Sequence, residues 1–246
     1  MTQPAFERLT QSLAAFQPRL AECRQSLSVD FPWYPYNTLA NLTHIEPLLS
    51  PELTGLFGPG RRLADIGAAD GDFAFFLESL GNTCDVYDNP PTNMNAMRGV
   101  AALKSALGSR IGVNACDLDR QFDIRDRYDA VFFLGILYHL KNPFYVLERL
   151  ASVSSYLFVS TRIARRFTPS GDDVSGLAVS YLVGPTELNN DPTNYWIFSE
   201  TGLRRLCERA GWEVLAFHTV GDTATSLPNS NDHDERAFAV LRSRAL

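Results

Sequence analysis

No run of positive charge, no cysteine pair and no long apolar stretch marks this sequence. Acidic residues outnumber basic ones, 28 to 22, giving a formal net charge of −6 and a pI near 5.2. Binding to nucleic acid rests largely on neutralising phosphates, so an acidic chain without a basic tract makes a poor stand-alone DNA or RNA binder. The pairs Arg61-Arg62, Arg165-Arg166 and Arg204-Arg205 form small patches at most, or simply solvated surface. The four cysteines, Cys23, Cys84, Cys116 and Cys207, are scattered, with no CxxC and no histidine at ligand spacing, so no metal is expected. Cys84 and Cys116 lie in apolar strand-like runs, as small core residues do. The opening MTQPAFERL lacks an apolar signal core, and no segment is long enough to span a bilayer. A cytoplasmic protein that meets no membrane is the expectation.

What is present is a globular composition, 45% hydrophobic and 20% charged, long enough at 246 residues for one large α/β domain. Phe6, Leu9, Leu13, Phe16, Leu20, Cys23 and Leu27 recur at steps of three or four, predicting an amphipathic helix bent at Pro18. FPWYPYNT, residues 31–38, reads as a semi-rigid loop, with Asn37 placed to cap a second helix through Leu49. From Arg61 strands and helices alternate. RRLADIG, TCDVYD, RIGVNACD, YDAVFFLG and SYLFVSTRI read as strands, and DFAFFLESL, residues 92–107 and PFYVLERLASV as helices. Residues 164–198 fit no simple element and read as an insertion. SETGLRRLCERAG is a helix with a Ser cap and a Gly stop, followed by two closing strands, WEVLAFHTV and RAFAVLRS, with no helix between them. The pattern predicts an α/β, Rossmann-like, doubly wound and mainly parallel sheet with an antiparallel final hairpin. A helical and aromatic accessory segment, residues 1–58, precedes it as a lid or cap, and residues 59–246 form the domain proper.

Ligands in such sheets bind beyond the carboxyl ends of the strands, where the strand order reverses. The chemistry-bearing residues fall at those ends. In LADIGAADGDF, residues 63–73, a strand runs into Asp65 and Gly67, and the turn closes at Gly71 before a helix. Glycine serves where backbone turns tightly and approaches a ligand. The spacing is not that of a dinucleotide turn, and Asp70 would set a negative charge beside a pyrophosphate, so a cationic ligand suits the turn better. Asp88, with Asn89 beside it, follows Gly67 by 21 residues, near the spacing at which an acidic residue holds ribose hydroxyls. A plain turn before Pro90-Pro91 is the other reading. After the third strand, Asp117 can accept from an adenine amine while Leu118 covers the ring.

On these residues the chain resembles, over roughly residues 60–243, the class I methyltransferases that use S-adenosylmethionine. Asp65, Gly67, Gly71, Asp88 and Asp117 match that family's acidic and glycine positions, with Ala68 in the same turn. Ala69 stands where the family more often has its middle glycine. FFLGILYHLKNP, residues 132–143, resembles a subgroup related to the tRNA wobble-uridine carboxymethyltransferases. The resemblance implies that Leu134 and Gly135 lie against the methionine part of the cofactor and that Tyr138 and His139 face the reacting centre. Enzymes of that subgroup hold a carboxylated cofactor partly through a lysine upstream of the domain and an arginine near its end. The only lysines here are Lys104 and Lys141, so unmodified S-adenosylmethionine is the expected cofactor, although Tyr138 matches a family contact.

Methyl transfer is an in-line displacement at an activated carbon, so the protein must align the partners and exclude water. An oxygen or nitrogen acceptor also needs a base, and His139 is either that base or a side chain that shapes its turn. Tyr138 either orients the reactants or packs under the loop. Two aromatic clusters suit a pocket mouth or the cementing of accessory segments: Trp33, Tyr34 and Tyr36, and Tyr181, Tyr195 and Trp196. Arg162, just past the fifth strand, either binds an anionic substrate group or lies on the surface. A small-molecule methyl acceptor is the expected partner and tRNA the alternative. A binding protein without activity would have lost the acidic and glycine positions, and they are present.

Overall fold

The computed structural model describes residues 3–167 and 170–246, with side chains from residue 7 onward. The expected contribution of Phe6 to the first helix therefore lies outside the described side chains, as do Thr168 and Pro169 of the expected insertion. The chain divides into two compact units: one runs from the N-terminus to Asp117 and adds Arg127–Phe132, the other comprises Leu118–Asp126 and Phe133–Leu246. No described helix is long and apolar enough to cross a membrane.

In the first unit, α1 (Gln3–Ser26) runs through Pro18. Its expected stripe is in phase: Leu9, Phe16 and Leu20 are buried, and Leu13, Cys23 and Leu27 half-buried. The expected second helix is not continuous. Residues 38–57 alternate 3-10 turns with α2 (Asn41–Ile45) and α3 (Pro51–Thr54). Leu39, Leu42, Ile45 and Leu48 are all buried, two of them in the 3-10 turns and two in α2, and Pro47 and Pro51 sit among these short pieces. Asn37 precedes the first of these turns, but its side chain caps nothing; its carbonyl accepts from Ala40 N instead.

Strands β1 (Arg62–Ile66), β2 (Thr83–Asp88), β3 (Gly112–Ala115) and β4 (Tyr128–Leu134) alternate with α4 (Asp72–Ser79) and α5 (Arg98–Leu107). They lie side by side in the order β4-β1-β2-β3, all parallel, with Leu63 registered against both Ala130 and Cys84 and Val86 against Val113. β1 is buried because it is flanked on both sides, and Phe132 packs on Phe57 and Phe73 at 5.6 and 4.9 Å between ring centres. The helix expected over residues 92–107 begins only at Arg98. Ala96 and Met97 adopt φ of 54° and 64°, which an α-helix cannot contain, and Asn93 Oδ1 accepts from Asn95 N and Met97 N.

β4 passes from the first unit into the second, which continues with α6 (Pro143–Ala151), β5 (Ser154–Ile163), β6 (Arg166–Phe167), β7 (Asp172–Asp173), β8 (Ser180–Leu182), β9 (Trp196–Phe198), α7 (Glu200–Arg209), β10 (Trp212–Gly221) and β11 (Glu235–Ser243). The final pair is antiparallel as expected, and β11 lies between β5 and β10, antiparallel to both. The insertion is more ordered than expected. β6 and β7 make a small ribbon, β8 pairs with β9, and β9 joins β5 through Ile163 and Phe198. Strands of two or three residues are too short for a period of two to show in the sequence. The sheet is thus mixed and mostly parallel with flanking helices, the expected fold class. Trp212 anchors the second unit, fully buried with Nε1 donating to Leu147 O at 2.9 Å.

Candidate active site

The turn after β1 is built for tight curvature. Gly67 and Gly71 adopt φ of 71° and 83°, and between them Ala69 takes φ of 55°, a conformation costing a non-glycine residue about 1 kcal/mol. A side chain at Gly71 would meet Val100 Cγ2 at 2.7 Å, so packing as well as φ requires glycine there. The turn is fastened to the end of β2: Gly67 N donates to Tyr87 O at 2.7 Å and Ala69 N to Asp88 Oδ2 at 3.1 Å. Asn89 N and Asn93 Nδ2 also donate to the Asp88 carboxylate, at 2.7 and 2.9 Å. The same bonding extends one strand further, where Cys116 N donates to Asp88 O at 2.8 Å. Thus Asp65, Gly67, Ala68, Gly71, Asp88 and Asn89 come together, and Asp117, half-buried, follows directly after Cys116. Cys116 is itself only half-buried, whereas Cys84 is the core residue expected.

Charge is concentrated here. Asp65 is buried, and its Oδ2 has no hydrogen-bond partner among the described residues. Burial, with Asp88 and Asp72 adding, pushes its carboxyl up to about 8 against the opposing N–H of Ala74. Burial also raises Asp88, against its three hydrogen bonds. A buried acid oxygen without a partner, among other acids, fits a cationic ligand, whose charge would favour loss of its proton.

Asp70 has a task that the sequence did not disclose. Its carboxylate, 1% exposed, accepts from Arg24 Nη2 at 3.1 Å, Tyr34 N at 2.8 Å and Asn95 Nδ2 at 2.8 Å. Arg24 also reaches Asp72 at 2.6 Å. Asp70 therefore clasps α1 and the aromatic loop onto the turn, and its charge is met by Arg24. Arg24, Asn93 and Asn95, which bond Asp70 and Asp88, were missed in the sequence; the Asn-rich run after two prolines was the available signal. The loop aromatics follow this clasp. Trp33 stacks under Arg24 at 5.3 Å, Tyr34 accepts from Met94 N at 2.8 Å, and Tyr36 is exposed. Burial pushes the Tyr34 phenol up to about 12.

In the second unit, Leu118 is buried, Leu134 is half-buried at the end of β4, and Gly135 turns the chain with φ of 79° while donating to Ser160 O at 2.9 Å. Gly135 is flanked by two polar side chains: a Cβ there would lie in ordinary contact with Arg236 Nη1 at 3.9 Å and Tyr138 Oη at 4.0 Å. Arg236 lies over the Tyr138 ring at 5.8 Å, a neighbour the sequence gave no sign of. Tyr138 and His139 share the one-turn 3-10 helix Leu137–His139, their rings 4.2 Å apart. His139 Nδ1 meets Thr193 Oγ1 at 3.0 Å and Thr193 O at 3.1 Å. Burial holds the His139 imidazole below its usual 6.5.

Arg162, inside β5, is buried: Nη1 pairs with Asp234 at 3.1 Å, Nη2 donates to Leu227 O and Ser230 O, and Nε has no partner among the described residues. Its polar donors are thus turned to the protein, and the surface reading does not hold. Tyr181 donates to Glu187 and packs on Phe167. Tyr195 N donates to Tyr138 O at 2.8 Å, and Trp196 Nε1 donates to Lys141 O at 3.3 Å. Trp196 lines an open cleft with Lys141, Phe144 and Tyr145.

A family model described as "Methyltransferase domain" matches residues 39–216. No curated protein matches the sequence significantly. Among solved structures, the N-terminal domain of EvdMO1 in the presence of SAH and D-fucose is similar at 18% identity, covering 94% of this chain and 97% of that one with a TM-score of 0.57. The 1,6-didemethyltoxoflavin-N1-methyltransferase of Burkholderia thailandensis, with bound 1,6-didemethyltoxoflavin and S-adenosylhomocysteine, is 19% identical over 84% and 81% of the chains, with a TM-score of 0.55. Magnesium protoporphyrin IX methyltransferase (ChlM) from Synechocystis PCC 6803, with bound SAM, is 16% identical over 83% and 79%, with a TM-score of 0.52. At such identities these likenesses show the fold alone.

Proposed function

Because the chain belongs to the methyltransferase-domain family, we propose that it moves a methyl group from S-adenosylmethionine to a small-molecule acceptor. One observation carries the reading: the glycine turn after β1 is bonded to Asp88 at the end of β2, next to a buried Asp65 oxygen that lacks a partner. S-adenosylmethionine, when bound, supplies a methyl carbon activated by a sulfonium. Asp65, Gly67, Ala68 and Gly71 form the turn that receives it, Asp88 and Asn89 take the ribose hydroxyls, and Asp117 and Leu118 take the adenine. Leu134 and Gly135 accommodate the methionine part, Tyr138 orients the reactants and His139 removes the acceptor proton. Trp33, Tyr34 and Tyr36, on the cap of residues 1–58, and Tyr181, Tyr195 and Trp196 serve the acceptor. Arg162 supports the 227–234 loop that carries its partners. Fold relatives with small-molecule substrates, such as the didemethyltoxoflavin enzyme, support the acceptor class.

Calorimetry tests the donor. S-adenosylmethionine and S-adenosylhomocysteine are expected to bind and NAD not to; the opposite ranking overturns the reading. Asp88→Ala is expected to weaken that binding at least tenfold, the loss of about 1.4 kcal/mol.

A second reading, carboxymethyl transfer to tRNA, has one observation in its favour. Arg236 lies over Tyr138 beside Gly135, its Nε 3.7 Å from Asp234, and a guanidinium there suits a carboxylated donor. Tighter binding of carboxy-S-adenosylmethionine than of S-adenosylmethionine, lost in Arg236→Ala, would establish it.

A further inference from the structure

The insertion loop Leu188–Tyr195 is held to the His139 turn from two sides. Tyr195 N donates to Tyr138 O at 2.8 Å, and Thr193 meets His139 Nδ1 through both its carbonyl and its hydroxyl. The loop is itself well braced. Asp191 N donates to Leu188 O at 3.1 Å, Asn194 Nδ2 donates to the same carbonyl at 3.2 Å, and Asn189 and Asn190 take φ of 56° and 57°. Asp191 Oδ1 accepts from Thr193 N at 2.8 Å and from Thr193 Oγ1 at 2.6 Å.

The donors and acceptors of this chain settle where the histidine proton sits. The Thr193 carbonyl can only accept. The Thr193 hydroxyl has one proton, and that proton is committed to the Asp191 carboxylate, which only accepts. Both partners of Nδ1 are therefore acceptors, and Nδ1 must carry the hydrogen. A neutral imidazole carries one, so Nε2 bears the lone pair, and among the described residues it has no hydrogen-bond partner.

We propose that Asp191 and Thr193 are positioning residues that lock His139 in the tautomer able to take a proton at Nε2. The proposal rests on His139 being the base. In the step it serves, the acceptor X–H gives its proton to Nε2 and the electron pair left on X forms the bond to the methyl carbon. The methyl–sulfur pair stays on sulfur, which becomes a neutral thioether, and Nδ1 keeps its hydrogen throughout. The positive charge thus passes to the ring, where Asp191 stabilises it through Thr193 without being protonated. The charged groups facing the ring are Asp191 from the insertion, which favours the imidazolium, and Arg236 from β11, which opposes it.

Long-range proton–nitrogen NMR of the imidazoles tests this on the ligand-free protein. The chain has four histidines, His44, His139, His218 and His233, and His139→Gln identifies the signal. Wild type is expected to show His139 protonated on Nδ1 when neutral. Asp191→Ala frees the Thr193 hydroxyl to donate to Nδ1, so the Nε2–H form should appear, and the titration midpoint should fall by about one pH unit. Thr193→Val should lower the midpoint likewise, and Thr193→Ser should restore the wild-type pattern. The Tyr195 amide signal reports whether the loop keeps its fold; where Asp191→Ala loses it, the Val and Ser pair decides. An Nε2–H ring in wild type, or a tautomer and midpoint unmoved in both Asp191→Ala and Thr193→Val, overturns the proposal. Release of S-adenosylhomocysteine from S-adenosylmethionine in a metabolite extract tests the base separately. A rate unchanged in His139→Gln would remove the base reading alone, since the tautomer is measured independently.

Discussion

An unfolded Asp65 titrates near 3.8, whereas in the folded protein burial, Asp88 and Asp72 push it up to about 8. Between those values the unfolded chain ionises this group and the folded chain does not, so stability falls through Asp65 as pH rises across that window and levels off above it. Asp65→Asn is accordingly expected to stabilise the ligand-free protein at pH 8, by of order 1–3 kcal/mol, while weakening S-adenosylmethionine binding. Thermal unfolding and calorimetry on the same variant check the two signs, and a variant unchanged in both would remove Asp65 from the site. A cationic ligand should also drive a proton off Asp65 near pH 7. Calorimetric titrations in buffers of different ionisation heat are expected to show proton release on binding in wild type and less of it in Asp65→Asn.

At the scale of elements, Gly202 in α7 separates intrinsic propensity from packing. Alanine is favoured over glycine within a helix by about 1 kcal/mol. Yet a Cβ at Gly202 would lie 2.4 Å from the backbone oxygen of Val179, so Gly202→Ala is expected to destabilise despite that gain. Denaturant unfolding should show a lower midpoint; a higher one would mean that the backbone at Val179 yields easily. Arg24→Met belongs to the same scale. It leaves Asp70 buried with only neutral donors, and a loss of roughly 2–4 kcal/mol is expected, with α1 exchanging its amide protons faster. Elements whose periods are long and regular, such as the α1 stripe and the strands of the parallel sheet, were legible in the sequence. Residues 92–97 were not, because asparagine side chains there satisfy backbone donors that a helix would otherwise use. The insertion was not either, since its strands depend on partners rather than on their own pattern.

For the whole molecule, a net charge of −6 makes tRNA a poor partner unless a local patch compensates. No saturable binding to bulk tRNA is expected at physiological salt by filter retention, and tight binding under those conditions would favour the carboxymethyl reading. The succession of strands and helices along the chain, the antiparallel closing pair and the placement of carboxylates and glycines at strand ends follow from the sequence alone. Each is written in neighbouring residues, through periodicity, turn chemistry and spacing. What only the tertiary structure decided is which polar groups meet. Arg24 reaches Asp70 across 46 residues and Thr193 reaches His139 across 54, distances over which local pattern carries no information. Such pairs form because burial leaves a charge or a ring nitrogen needing a partner, and the fold determines which one is within reach.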